Sequence, residues 1–329
     1  MKSIAVMGLG NFGTALARNW LAAGHDVRGW TVEEEVYESI RSSGVNEKYL
    51  NDVSLAGINV SMDIAGTMAG AEVIVLALPS GVVLDVVDEV VPHLRSDQVL
   101  LDLAKGLAPG DQMISDVIES KLDTAGLSCP LCVMMGPTIA PELARGVYTT
   151  ALVTSRDVTL AAQIAADLST STLKLSAGTD SLGAEYWGAF KNVIALACGV
   201  VDGLKHDGRG GDNLKAAVFT AGYREAVKLL PQLGADSDTA LSAAGIGDLF
   251  VTATSPHGRN REMGERLGRG QTLAEAEADM VMVSEGVRAA RMFKLLFSSR
   301  DMVAPFVGAV CALLDEGATI EEFLDKVMA

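Results

Sequence analysis

The segment Gly8-Leu9-Gly10-Asn11-Phe12-Gly13 constrains this chain more than any other. It lies between a β-branched run at residues 4–7 and a helical pattern at 14–23. Each glycine has its own task there. Gly8 permits a tight turn, Gly10 lets the backbone approach a pyrophosphate, and Gly13 lets the helix pack close to the strand, while the helix N-terminus faces negative charge. A dinucleotide-binding strand–turn–helix unit is therefore expected at the N-terminus, with Asn11 and Phe12 inside the phosphate loop.

The rest of the first half is consistent with that unit. Short apolar, β-branched runs at 27–30, 73–78, 99–103, 131–135 and 151–154 alternate with helical patterns such as 82–91 and 160–168. Such alternation predicts a doubly wound, mostly parallel α/β sheet of Rossmann-like type. After about residue 179 strand signals stop, and Ala/Leu/Val/Glu-rich stretches run to the end. We read residues 1–180 as the dinucleotide-binding domain and 181–329 as an all-helical substrate and catalytic domain.

Composition narrows the partners. The 329 residues are 49% hydrophobic, enough for two cores, and carry 26 Lys+Arg against 42 Asp+Glu, a formal charge of −16. That field repels nucleic acid and anionic lipid, so neither is expected as a partner. Most of this acidity serves solubility. A phosphorylated small molecule would need a local cluster of cations and backbone N–H groups. The longest uninterrupted apolar stretch, 193–201, is far short of the roughly 20 residues that span a bilayer, so no membrane insertion is expected. The N-terminus enters a strand without a signal-peptide pattern, so a cytoplasmic protein is expected. Cys129 and Cys132 form a C-x-x-C with no second pair, and His25, His93, His206 and His257 are scattered. Buried structural thiols, a solvated His206 and no metal site follow.

Residues 30–35, Trp-Thr-Val-Glu-Glu-Glu, lie where such domains place an acid on the adenosine ribose. Three successive carboxylates there, with no Arg or Lys, would repel a 2′-phosphate. Glu33 is thus a cofactor-binding candidate, and NAD is expected in preference to NADP. The alternative is that these acids only favour the first turn of a helix.

Lys191 is the anomaly of the second half. Its neighbours one turn away are Trp187, Gly188, Ile194 and Ala195, so the ammonium lies on or beside an apolar face. It either snorkels to solvent or is desolvated and suited to proton transfer. Lys105 follows a strand, the segment 136–142 opens with a Gly-Pro turn after another, and both point to the ligand-binding edge of the sheet. Residues 245–252 and 258–261 add a carboxylate, a hydroxyl and local cations.

The segments GLGNFGTALA, AKGL, GPTIAPE, EYWGAFKNVIALACGVVDGL, GGDNLKAAV, GIGDLFVTAT, GRNREMG and SEGVRAA, in this order along nearly the whole chain, resemble NAD(P)-dependent glycerol-3-phosphate dehydrogenases. The resemblance implies interconversion of sn-glycerol 3-phosphate and dihydroxyacetone phosphate by hydride transfer, with Lys191 as proton donor or acceptor and Lys105 and Asp248 assisting. It implies Gly136, Thr138, Thr252, Gly258, Arg259 and Asn260 around the phosphorylated substrate, and Lys105, Ala140, Arg259, Val283 and Glu285 on the cofactor. It also implies a role in glycerophospholipid metabolism and a homodimer, whose interface the apolar helices after Leu182 could supply. The chain departs from the family pattern in a longer segment at 204–213, in Gly258 where bacterial relatives have Ser, and in the acidic run at Glu33. Two other readings share the architecture: a dehydrogenase of β-hydroxyacids or other phosphorylated polyols, and a dinucleotide sensor without turnover.

Overall fold

The computed structural model describes residues 1–110, 112–256, 258–280 and 284–329, and Val283 therefore lies outside the described residues. The chain divides into two compact units, one of residues 1–108 and 112–181, the other of 182–329 with a short piece beginning at Pro109.

The first unit contains strands β1 (Ser3–Met7), β2 (Asp26–Trp30), β3 (Val45–Asn46), β4 (Leu50–Ser54), β5 (Asn59–Ser61), β6 (Val73–Leu76), β7 (Val99–Asp102), β8 (Leu131–Met135), β9 (Thr149–Thr154) and β10 (Leu173–Gly178). Its helices are α1 (Asn11–Ala22), α2 (Glu34–Ser43), α3 (Ile64–Met68), α4 (Val83–Val90), α5 (Ile114–Thr124), α6 (Ala140–Ala144) and α7 (Val158–Leu168). Among the described residues eight strands form one sheet in the order β10-β9-β8-β7-β6-β1-β2-β5, while β3 and β4 pair separately. Neighbours run parallel except β8 and β9, so the sheet is mostly parallel and doubly wound, as expected.

Pleating sorts the side chains. Ile4 and Val6 of β1, with Val73 and Val75 of β6, join the cluster that holds Leu16 and Trp20 of α1. Ala5 and Met7, with Ile74 and Leu76, join the opposite cluster with Val83 and Val87 of α4 and Ile114 and Ile118 of α5. Covered on both faces, β6 is apolar throughout, as the sequence VIVL shows. Chain order reverses between β1 and β6, which makes the gap beyond their C-terminal ends the topological switch point.

The second unit, as far as it is described, is helical: α8 (Ser181–Leu204), α9 (Asp212–Leu229), α10 (Asp248–Thr254), α11 (Arg259–Gly268), α12 (Leu273–Ala278), α13 (Glu285–Ser299), α14 (Pro305–Asp315) and α15 (Ile320–Met328), with short 3₁₀ turns between some of them. Its centre is α8, buried almost continuously from Gly183 to Val201. Counting only 193–201 understated this helix. By length and composition α8 could cross a membrane, but its most apolar window is 94% buried within the protein, as befits a core helix. Phe190 packs edge-on against Phe293 of α13 with ring centroids 4.9 Å apart.

Glycines set how closely α8 and α11 approach. A Cβ at Gly199 or Gly203 would overlap the carbonyls of Arg261 or Glu265, and one at Gly264 or Gly268 would overlap those of Leu196 or Val200. Two glycine pairs at four-residue spacing thus mesh backbone to backbone. This crossing fixes the start of α11, Arg259 and Asn260, against the segment of α8 that carries Lys191 and Asn192.

Candidate active site

The phosphate loop follows β1 at the switch point. Gly8 has φ 103° and its Cβ position is closed by the Ala77 carbonyl 2.6 Å away, so glycine is required there. At Gly13 a Cβ would overlap the carbonyl of Gly8, whereas at Gly10 nothing lies within 4 Å. Close packing at Gly13 and open approach at Gly10 are the two properties the motif demands. Gly10 caps α1 without a side-chain bond, so the first N–H groups of the helix remain for an anion. Phe12 packs into the core beside Asn11, which is exposed. One residue here escaped the sequence reading: Asn46 of β3 donates to the Leu9 carbonyl and to Thr14 Oγ1, both at 2.8 Å, tying the loop from below.

Glu33 is the N-cap residue of α2 but makes no capping bond, and Glu34 and Glu35 occupy the first turn. Its carboxylate instead accepts from the Tyr49 hydroxyl at 2.8 Å and pairs with Lys48 at 2.5 Å. Lys48 also pairs with Glu35. The segment 30–35 carries no cation, but the chain between β3 and β4 brings Lys48 to it, which corrects the expectation of carboxylates with no cation beside them.

On the same edge of the sheet, Lys105 follows β7 and donates to the Gly136 carbonyl at 3.3 Å. Thr138 Oγ1 donates to that carbonyl at 3.2 Å. Lys105, Gly136 and Thr138 are thereby brought together, with the buried Ala140 opening α6 just beyond them. Asp102, the last residue of β7, is fully buried, and burial pushes its carboxyl up to about 7. Its Oδ1 accepts from the Ala104 N–H at 3.2 Å and so shapes the turn that carries Lys105.

In the second unit Lys191 does not snorkel. It is 4% exposed, and its Nζ donates to Asp248 Oδ1 at 2.6 Å and to Thr252 Oγ1 at 2.9 Å. Thr252 Oγ1 in turn donates to the Asp248 carbonyl at 2.7 Å, one helical turn back. Asp248 begins α10, after a tight turn in which Ser242 Oγ accepts from the N–H groups of Ala244 and Gly245. A buried ammonium, a carboxylate and a hydroxyl thus form one fixed triad, suited to holding a proton at a defined point.

Gly258 caps α11, and Arg259 and Asn260 are its first two residues. Arg259 is exposed and Asn260 buried. The Asn260 carbonyl oxygen accepts from Ser284 Oγ at 2.9 Å and from the Gly286 N–H at 2.8 Å, while its amide donates to Asn192 Oδ1 at 2.8 Å. That leaves Asn260 one amide hydrogen and its backbone N–H for a ligand. The same network anchors the start of α13, where Glu285 is the first residue. Asn192 and Ser284, which lie in the quoted segments but were not expected as site residues, are thus joined through Asn260, linking the neighbour of Lys191 to the neighbour of Glu285. Among the described residues no group of three His, Cys, Asp or Glu could hold a metal ion. All four cysteines are free and buried, and burial raises Cys129 to about 11 and Cys132 to about 12.

Comparison with known proteins agrees with this arrangement. Residues 3–161 match the family described as the N-terminus of NAD-dependent glycerol-3-phosphate dehydrogenase, and 180–325 match its C-terminus. An NAD(P)+-linked glycerol-3-phosphate dehydrogenase of Salinibacter ruber is 35% identical, with 99% of this chain and 94% of that protein covered. The Clostridium acetobutylicum enzyme of that name is 34% identical over 100% and 97%. The solved glycerol-3-phosphate dehydrogenase of Coxiella burnetii superposes with a TM-score of 0.91 at 27% identity, covering 99% of this chain and 98% of that one. The phosphate loop, the Lys191 triad and these full-length matches together establish that the chain belongs to the NAD-dependent glycerol-3-phosphate dehydrogenase family.

Proposed function

We propose that this chain interconverts sn-glycerol 3-phosphate and dihydroxyacetone phosphate with a nicotinamide cofactor, the first unit binding the dinucleotide and the second supplying the proton chemistry. The observation that carries this reading is the buried Lys191 held by Asp248 at 2.6 Å. The Gly8–Gly13 loop would hold the nicotinamide cofactor, which would supply the hydride chemistry at C2 of the substrate. In the oxidative direction Lys191 Nζ, as the neutral amine, takes the C2 hydroxyl proton and becomes the ammonium; in the reductive direction the ammonium gives that proton to the C2 oxygen. Asp248 and Thr252 aim that nitrogen, and the Asp248 carboxylate offsets its charge so that a second cation, Lys105, can act on the same substrate.

Arg259 and the N–H groups opening α11 suit a phosphate dianion, the arginine through its planar fork and the helix through its dipole. Gly258 offers no hydroxyl, so that contact falls to backbone. Gly136 and Thr138 complete the substrate residues of the reading. Ala140, Arg259, Val283 and Glu285 complete the cofactor set. Glu33 on the ribose favours NAD over NADP. The setting is cytoplasmic and the product serves lipid backbones. The protein is a homodimer; because α8 is buried in its own unit, the interface falls to other helices.

The test is NADH and NADPH oxidation with dihydroxyacetone phosphate, wild type beside Lys191→Ala, with unphosphorylated dihydroxyacetone as control. The expected result is phosphate-dependent turnover that collapses in the variant. Reduction of a ketoacid in place of the phosphorylated ketone would overturn the substrate assignment.

A further inference from the structure

The longer segment at 204–213 has a place in the second unit that the reaction does not use. Lys205 and His206 form the turn after α8 and, with Lys215 of α9 and Arg261 and Arg269 of α11, line an open cavity of about 510 Å³. A cluster of this sign is unexpected in a chain of net charge −16.

The cations outnumber the carboxylates that face them, although Arg261 also donates to the carbonyls of Ser255 at 3.0 Å and Pro256 at 3.1 Å. Asp202, near the end of α8 with its side chain 11% exposed, faces Lys215 at 2.7 Å and both Lys205 and Arg261 at 3.2 Å. One carboxylate cannot neutralise three cations. Glu265 takes Arg261 at 2.8 Å and Arg269 at 2.5 Å. Two lining carboxylates thus serve four permanent cations. Asp212 reaches Lys205 at 2.8 Å, but its side chain is 94% exposed and free to yield that place.

This cavity is separate from the Lys191 triad. Asp202 lies eleven residues beyond Lys191 on α8, roughly 16 Å along the axis at about 1.5 Å per residue. Arg259 and Arg261 are two residues apart on α11, so they leave the helix on opposite sides. The first suits the substrate phosphate and the second turns to Asp202. The end of α8 disfavours an anion through its dipole, but that effect fades within a turn, and the cation surplus lies within the same turn.

We propose that this cavity is a second anion site that takes a small phosphorylated metabolite. Its volume suits a compact phosphate ester, and apart from His206 the described lining offers no aromatic ring on which a nucleobase could stack. Lys205 and Arg269, with side chains 42% and 53% exposed, are the ligand's outer contacts, and Lys215 and Arg261 form the fixed inner wall.

The test titrates inorganic phosphate into the full chain by calorimetry at constant ionic strength, with chloride as the control. The Arg259→Ala background removes the competing cation of the substrate site. Phosphate binding is expected to survive in Arg259→Ala and to weaken at least tenfold when Lys205→Gln and Arg269→Gln are added. Lys205→Gln/Arg269→Gln alone should keep kcat and KM for dihydroxyacetone phosphate within twofold, and thermal unfolding reports whether these surface changes leave the fold intact. Loss of all phosphate binding in Arg259→Ala alone, equal affinity with and without Lys205 and Arg269, or matching heats from chloride would each overturn the proposal.

Discussion

The ammonium of Lys191 and the carboxylate of Asp248 meet at 2.6 Å with side chains only 5% and 2% exposed. Such a pair does two jobs that mutation can separate. Removing one partner leaves a buried charge uncompensated, which costs about 3–5 kcal/mol, whereas replacing both by apolar groups is often neutral. Asp248→Ala should therefore lower the unfolding free energy by about that amount and abolish turnover. The double variant Lys191→Met/Asp248→Leu should recover most of the stability and none of the activity. Urea unfolding beside turnover measurements checks this; a double variant as unstable as Asp248→Ala would contradict it.

At Gly264 the α8–α11 crossing allows no Cβ, because the Leu196 carbonyl occupies that place. Backbone cannot swing aside as a side chain can, so Gly264→Ala must push the helices apart. Overpacking of this kind costs about 1–3 kcal/mol or more. Displacing α11 also displaces Arg259 and Asn260, so KM for dihydroxyacetone phosphate should rise with the loss of stability. Gly308, inside α14, has nothing within 4 Å of its Cβ position. Gly308→Ala should stabilise by roughly 0.5–1 kcal/mol through helix propensity. Thermal unfolding of the two variants with substrate kinetics tests both signs.

What the sequence made legible follows from burial. Strands β1, β6, β7 and β8 lie inside the sheet and read as apolar runs, and the glycine motif could be placed because its tasks are local. The edges were harder. β10 has the pattern buried, exposed, half-buried, exposed, exposed, half-buried, and β5 has three residues, so neither stood out. Long-range partners were hidden as well. Periodicity placed Lys191 beside an apolar face but could not show that Asp248, 57 residues on, waits there. Asn46 and Lys48 reach the cofactor loop and Glu33 through the small β3–β4 piece, which no pattern announced. For the helix crossing a signal existed: glycines 199 and 203, and 264 and 268, share a four-residue spacing.

Glu33 offers a test of cofactor choice. Its carboxylate holds both Tyr49 and Lys48, so removing it deletes the acceptor proposed for a ribose hydroxyl and leaves Lys48 held by Glu35 alone, with less negative charge to oppose a 2′-phosphate. Hydrogen bonds to charged groups contribute about 1.5–3 kcal/mol, about tenfold or more in affinity. Glu33→Ala should shift the ratio of Michaelis constants by about tenfold in favour of NADPH, with kcat for NADH nearly unchanged. Adding Lys48→Ala should remove most of the NADPH gain. A ratio that stays put would show that these acids serve the first turn of α2 alone.

Asp102 links pH to stability. The carboxyl at the end of β7 is fully buried, its Oδ2 has no hydrogen-bond partner among the described residues, and burial raises it from 3.8 to about 7. Between those values the folded protein keeps the proton and the unfolded chain releases it, so the folded state binds more protons. The stability this group contributes is therefore fully present below 3.8 and is lost as pH rises through about 7. At about 1.4 kcal/mol per pH unit the full swing is of order 4 kcal/mol. Asp102→Asn keeps an acceptor for the Ala104 N–H and removes the titration. Unfolding free energies of wild type and variant, measured from pH 4 to 8 and subtracted, should show the wild type losing ground steadily up to about 7 and then levelling. Because the same carboxyl shapes the turn before Lys105, turnover in the wild type should fall above that pH more steeply than in the variant. Parallel stability curves across the range would mean that Asp102 is ionised in the folded protein, with a counter-charge or water meeting its Oδ2.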